Sequence, residues 1–305
     1  MSEDSKGPGW TTMKIDPEIF EELGVRDPEE TKREMAISKR VRQVRKELKD
    51  DPDNIDLQLE LGRLFIDGGE LDEAIKQLKQ IISRDQQNGL CYKLLGTAYA
   101  MSNHEDEAIR ELTRASELLP EDPEVHLNLG GVFMLQDMYE SAARCFKKVV
   151  EIDPMDRLGY ANLAAAYDVD KKYDEEVQVL KKILMFAPED IELRSALSTA
   201  YFNSENYDEA LNHALCVVEL DEKDPQAYCN LGSCYSAQNM IDEAVGAFQK
   251  ASEIDPDYSL PHTNLGSLYA TIGRIEKAIK EFKLATTMNQ SDALGWMNLY
   301  SCYKE

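Results

Sequence analysis

At 305 residues the chain is long enough for two ordinary domains or one long array, and 43% apolar residues suffice to bury a core. A formal charge of −24 argues against a nucleic-acid partner, because an acidic surface repels phosphate. No apolar run approaches the ~20 residues of a membrane span, and the opening MSEDSKGPGW lacks the basic-then-apolar pattern of a secretion signal, so the default compartment is the cytoplasm.

Residues 1–26 read as a flexible N-terminal segment. Within it, DPEIFEELG has the marks of a two-turn helical motif: Asp16 as cap, Ile19, Phe20 and Leu23 on one face, and Gly24 as stop. The sequence does not choose between three fates for it: packing on the next helix, lying in the protein's own groove, or binding a partner.

Residues 27–54 predict a basic amphipathic helix that caps the N-terminus. Asp27 is the helix-start signal, Pro28 suits the first helical position, and Ile37, Val41, Val44 and Leu48 form an apolar stripe. Between Lys32 and Lys49 stand eight basic residues and two acidic ones. The helix is read first as a cap with a solvated basic face. Its alternative role is to offer residues 32–49 to an acidic partner.

From Asn54 onward the sequence repeats every 34 residues with no insertion. Leu61, Leu95, Leu129, Leu163, Leu197, Leu231, Leu265 and Leu299 hold one register. All but Leu163, Leu197 and Leu299 are followed by Gly; Ala164 and Ser198 stay small, and Tyr300 does not. Four residues past each Leu stands Phe65, Tyr99, Phe133, Tyr167, Tyr201, Tyr235, Tyr269 or Tyr303. Thirteen past it stands an Ala, except for Glu176. Pro120, Pro154, Pro188 and Pro256 close four of the repeats.

With the Leu numbered as position 7, positions 4, 7, 8 and 11 share one face of a helix, and positions 20, 24 and 27 share one face of a second. Small residues at 8 and 20 let the two backbones approach. One such hairpin cannot bury its apolar face alone, but stacked hairpins share a continuous core. Glu176 should splay its helix pair or snorkel to water. Glu222 and Gln290 replace the closing Pro, and Pro225 is expected to stop the fifth repeat slightly late.

The pattern Leu-Gly-x-x-Tyr, then Ala-x-x-x-Phe, then Pro resembles the tetratricopeptide repeat family. The resemblance implies an all-α fold, a right-handed α-solenoid or superhelix of antiparallel helix pairs, with seven repeats over residues 55–292. Residues 293–305 then read as a C-terminal capping helix, and solenoid caps usually turn a polar face outward.

In the family, the first helices line the concave wall. Position 6 therefore faces the groove, and there stand Asn128, Asn162, Asn230, Asn264 and Asn298. An amide offers both donor and acceptor, so such a ladder can pair with the backbone of an extended peptide. The superhelical domains of O-linked N-acetylglucosamine transferases are similar in this respect. The competing reading is that these Asn bond only to neighbouring helices or water.

The first part of the wall adds apolar Leu90, Leu94, Met101, Leu127, Met134 and Leu135. The last part adds polar Ser233, Ser236, Thr263, Ser267 and Ser301. Residues at positions 5 and 12 of this wall have packing between first helices as their alternative role. The carboxylate clamp of chaperone adaptors does not fit. Lys93 and Asn128 match its pattern, but Thr97, Leu158 and Asn162 stand where Asn, Lys and Arg belong.

Six Cys without Cys-x-x-Cys spacing read as packed, reduced thiols, and His104, His126, His213 and His262 are scattered, with His126 and His262 at a packing position. No metal-ligand or phosphate-loop pattern is present, so no cofactor and no catalytic set are expected. The leading function is a non-enzymatic adaptor binding an extended or helical peptide segment in the groove. The alternative is a self-assembling or multi-partner structural scaffold using its ends and convex face. A substrate-recruiting region of an enzyme is the weakest of the three.

Overall fold

The computed structural model describes residues 28–304. The readings of the 1–26 segment and of Asp27 lie outside the described residues. Among the described residues there are sixteen helices and no strand. They are α1 (Pro28–Asp50), α2 (Ile55–Asp67), α3 (Leu71–Arg84), α4 (Gly89–Met101), α5 (Glu105–Leu118), α6 (Pro123–Leu135), α7 (Tyr139–Ile152) and α8 (Arg157–Val169). Then follow α9 (Tyr173–Phe186), α10 (Ile191–Asn203), α11 (Tyr207–Leu220), α12 (Pro225–Ala237), α13 (Ile241–Ile254), α14 (Leu260–Thr271), α15 (Ile275–Met288) and α16 (Ala293–Lys304). Two compact units divide between Val125 and His126.

Two local devices make each repeat a hairpin. First, α2, α4, α8, α10 and α16 start on an Asn or Asp side chain that accepts from the backbone N–H three residues on, as Asn54 does from Leu57 and Asp190 from Leu193, both at 3.1 Å. Second, the residue at position 15 always adopts the left-handed conformation: Gly69, Asn103, Asp137, Lys171, Glu205, Asn239 and Gly273, with φ between 56° and 74°. That twist lets the next N–H reach back to the carbonyl of the aromatic residue at position 11, as His104 does to Tyr99 at 2.9 Å and Arg274 to Tyr269 at 2.8 Å. The second helix starts at once and folds back on the first.

The close approach at position 8 is real. A Cβ added to Gly96 would lie 2.5 Å from Leu112, and one on Gly130, Gly232 or Gly266 would lie 2.5–2.6 Å from the ring of Phe146, Phe248 or Phe282. Where position 8 carries a hydroxymethyl instead, at Ser198, position 24 shrinks to Ala214, and the Ser hydroxyl donates to the Ala210 carbonyl at 2.9 Å. The volume is moved across the pair rather than added to it. Leu163, Leu180, Leu197, Phe248 and Phe282 are buried in the second unit's core.

In the first unit, α1 covers α2 by burying Val41 and Val44. Arg40 grips Glu60 of α2 with two bonds, of 2.6 and 2.8 Å. Arg45 lies 5.3 Å from the centre of the Phe65 ring.

Three expectations are corrected. Pro225 does not stop the fifth repeat: α11 already ends at Leu220, and Pro225 sits at the first turn of α12, where its missing N–H costs nothing. Of the two outcomes expected at Glu176, a splayed helix pair or a snorkelling side chain, the second is not met: the residue is only 7% exposed. At the last helix, Leu299 and Cys302 are buried, but the face turned outward carries Trp296, 50% exposed, with Met297, Tyr300 and Tyr303. That is not the polar face expected of a cap.

Candidate functional site: one wall of first helices

Every amide of the ladder lies in the second unit, at one register of α6, α8, α12, α14 and α16. All five side chains are half-buried. Each sits on the side of its helix opposite the residue that enters the core, which is what 100° per residue dictates. The Asn230 carbonyl oxygen accepts from the Gln226 amide one turn earlier at 2.8 Å. Asn162, Asn264 and Asn298 make no side-chain hydrogen bond to a described residue.

The hydroxyls of the same wall are less free than the sequence suggests. Ser233 donates to the Cys229 carbonyl and Ser267 to the Thr263 carbonyl, both at 3.0 Å, so each presents acceptor capacity rather than a donor. Thr263 itself is buried, its hydroxyl between the Ser259 carbonyl and Asp292, and does not line a groove. A small cleft of about 170 Å³ joins Asn230 and Ser233 to Ser198, Thr199, Phe202 and Cys234. Thr199 and Phe202 were not foreseen as site residues. Nothing in a single repeat marks them, because they meet the ladder from the preceding one.

A larger cleft of about 400 Å³ opens where the ladder skips a rung. Position 6 of α10 is Ala196, and it lines this cleft with Asp168, Glu176, Ile191, Glu192, Ser195, Thr199 and Asp224. Glu176 Oε2 is buried without a hydrogen-bond partner. Burial, with the negative charge of Asp168 as a second cause, pushes the Glu176 carboxyl up to about 7.

The apolar part of the predicted wall divides between the units. In the first unit Leu94 is half-buried and Met101 is 54% exposed; in the second Leu135 is 70% exposed. Met134 and Leu127 rest against the core of the second unit, which is the packing role open to positions 5 and 12. Leu94 and Leu90 line a cleft of about 230 Å³ with Asp56, Leu59, Glu60, Arg63, Lys93 and Glu124. Lys93, which matched the carboxylate clamp, is only 12% exposed and is held by Asp122 at 2.9 Å and Glu124 at 2.8 Å. Its charge is spent inside the first unit, so the clamp is excluded by structure as well as by sequence.

Cys91, Cys229, Cys234 and Cys302 are buried, and burial pushes Cys91 and Cys229 up to about 12 and Cys145 up to about 11. Of the histidines, His262 pairs with Glu281 at 2.8 Å. His213 stacks on Tyr201 with ring centres 5.6 Å apart, and burial lowers its pKa. Among the described residues no group of His, Cys, Asp and Glu is placed to hold a metal ion, and no helix is long and apolar enough to cross a membrane.

Comparison with known proteins agrees with the hairpin geometry. Models of the tetratricopeptide repeat match residues 43–97 and 100–167, 225–258, and 247–280. The chain belongs to the tetratricopeptide repeat family, whose members are protein–protein interaction modules. A comparison with curated proteins finds no match. Among solved structures, the C-terminal part of a repeat protein from Cytophaga hutchinsonii is similar at 16% identity, with a TM-score of 0.60 over 79% of this chain and 99% of that one. A repeat protein from Parabacteroides merdae is similar at 19% identity, with a TM-score of 0.52 over 81% and 98%. YrrB, described as having an unusual peptide-binding site, is 27% identical over 61% of this chain and 96% of its own, with a TM-score of 0.46.

Proposed function

We propose that the chain is a non-enzymatic, cytoplasmic adaptor that binds an extended peptide along the wall bearing Asn128, Asn162, Asn230, Asn264 and Asn298. The observation that carries this reading is the state of the amides: all are half-buried at one register, and three have donor and acceptor unpaired with described residues. Amides spaced along successive repeats match a ligand whose own backbone repeats donors and acceptors. Ser233 and Ser267 add acceptors beside them. On α6, which bears Asn128, Leu135 is the exposed apolar residue offered to the ligand.

Each amide–peptide bond contributes roughly 0.5–1.5 kcal/mol net, so no single Asn is decisive. The test is to replace all five Asn by Ala, then measure capture of partners from the native cell together with melting temperature. Capture should be lost while melting is unchanged. Undiminished capture would refute the ladder, and a collapse in melting would mean that the Asn hold helices to one another.

A second reading, a self-assembling or multi-partner scaffold, is favoured by the outward aromatic face of α16 with Trp296, Met297 and Tyr300. Solution mass separates the two, since a self-assembling scaffold would not be a monomer. The basic helix α1 serves first as a cap. Its exposed Arg42 and Lys46, unlike Arg40, remain available to an acidic partner.

A further inference from the structure

The missing rung of the ladder and the one non-alanine at position 20 fall in the same place. Ala196 has only a methyl where the other rungs of the second unit carry an amide. Behind it stands Glu176, where the other repeats have Ala. The two departures together make a cleft with a carboxyl at its floor and Asp168, Glu192 and Asp224 at its sides. The acids come from separate elements: Asp168 from α8, Glu176 from α9, Glu192 from α10, and Asp224 from the cap of α12.

We propose, resting on the peptide-groove reading above, that this cleft receives the basic side chain of a lysine or arginine in the bound peptide, with Glu176 as its innermost counter-charge. Three observations carry the step. Glu176 is 7% exposed, and its buried Oε2 lacks any partner, although a buried carboxyl oxygen ordinarily has one. Three cations of this chain near the cleft are engaged elsewhere: Lys172 with Asp170 at 2.7 Å, Arg157 with Asp190 at 3.7 Å, and Arg194 with the Pro188 carbonyl at 2.5 and 3.0 Å. The acids do not converge closely enough to hold a metal ion. A charge carried on a long flexible stem can reach down to Glu176 while its methylenes pass Ile191 and Ala196. The upward shift of the Glu176 carboxyl fits a group that lacks its cation in the free protein.

The wall on either side would then read the peptide's backbone and this cleft one of its side chains. Affinity would come from the amides, and register from the single charge.

The test passes a degenerate library of short peptides over the immobilised full chain. The library contains lysine, arginine and the uncharged arginine analogue citrulline, and the retained pool is sequenced. Lysine or arginine should be enriched over citrulline at one position by about tenfold or more, as a charge-assisted hydrogen bond would give. Glu176→Ala restores the residue that the other repeats use, so it should retain peptides and melt no lower than the wild type, but without that enrichment. Asp168→Asn, on the exposed rim, should reduce the enrichment in part. Retention without a basic preference, or a preference that survives Glu176→Ala, would overturn the cleft alone. No retention at all would overturn the cleft and the peptide groove together.

Discussion

Hairpins α8–α9 and α12–α13 are built on one plan, two repeats apart, and three of the positions at which they differ are instructive. At position 8 the first has Ala164 and the second Gly232. At position 20 they have Glu176 and Ala244. At the left-handed position they have Lys171 and Asn239. The second hairpin follows every preference of its geometry. Phe248 fills the space over Gly232, Ala244 is fully buried, and Asn is among the few side chains that tolerate a positive φ. The first gives up stability at Glu176 and Lys171. The difference teaches that a repeat position is a steric specification, not a chemical one. Position 20 will accept a carboxyl that fits beside its neighbours, at an electrostatic cost, and the protein then has a charge where a repeat ordinarily has a methyl.

The comparison can be broken first at its tightest point. Gly232→Leu should destabilise by about 3 kcal/mol, because its Cβ alone would come within 2.6 Å of the Phe248 ring. Urea unfolding followed by circular dichroism checks this, and a neutral result would mean that the ring has room to move.

The cost at Glu176 has a pH signature. Its folded pKa, about 7, lies above the ordinary 4.5, so between those values the folded state holds a proton that the unfolded state has released. Its contribution to stability is full below about pH 4.5 and is lost as pH rises through 7. Asp168, Glu192 and Asp224 face the same cleft, and Asp168 adds to the shift. Glu176→Gln removes this titration. The variant's advantage over the wild type should grow with pH to about 3 kcal/mol by pH 8.5. An advantage that stays flat from pH 5 to 8.5 would show that the carboxyl is solvated.

The smallest effect is the exchange at the turn. Lys171→Gly should stabilise by about 1 kcal/mol, since glycine carries no penalty at φ 57°. Asn239→Lys should cost a similar amount or less. Paired thermal melts read both. If Lys171→Gly destabilises, the lysine side chain makes contacts worth more than its backbone strain.

Much of this was legible from the 34-residue step. Leu163, Leu197 and Leu231 are buried as the register requires, and glycine at position 8 meets residue 24 of its own hairpin. The Asp and Asn caps also recur at a fixed offset from the Leu, whereas the left-handed position carries Lys171 and Glu205 as well as Gly, Asn and Asp, so residue type does not mark it. Apolar periodicity carries no signal at polar positions. The ladder Asn stand half-buried at one register. Lys93 was matched to a ligand clamp, and only the contact with Asp122 and Glu124, 29 and 31 residues away, shows its charge satisfied within the chain.

The sequence by itself therefore determined the class of fold, the 34-residue register and the side of each helix that enters the core. Those follow from a period of 3.6 within helices and 34 between hairpins, and a period needs no coordinates. Only the tertiary structure decided which polar groups remain available. Availability depends on pairs far apart along the chain: Thr263 is closed off by Asp292 and Lys93 by Asp122, each 29 residues on, and Glu176 Oε2 is left without a partner behind Ala196. Periodicity sets the direction in which a side chain points. What it meets there depends on which neighbouring element packs beside it, and that is a property of the folded chain.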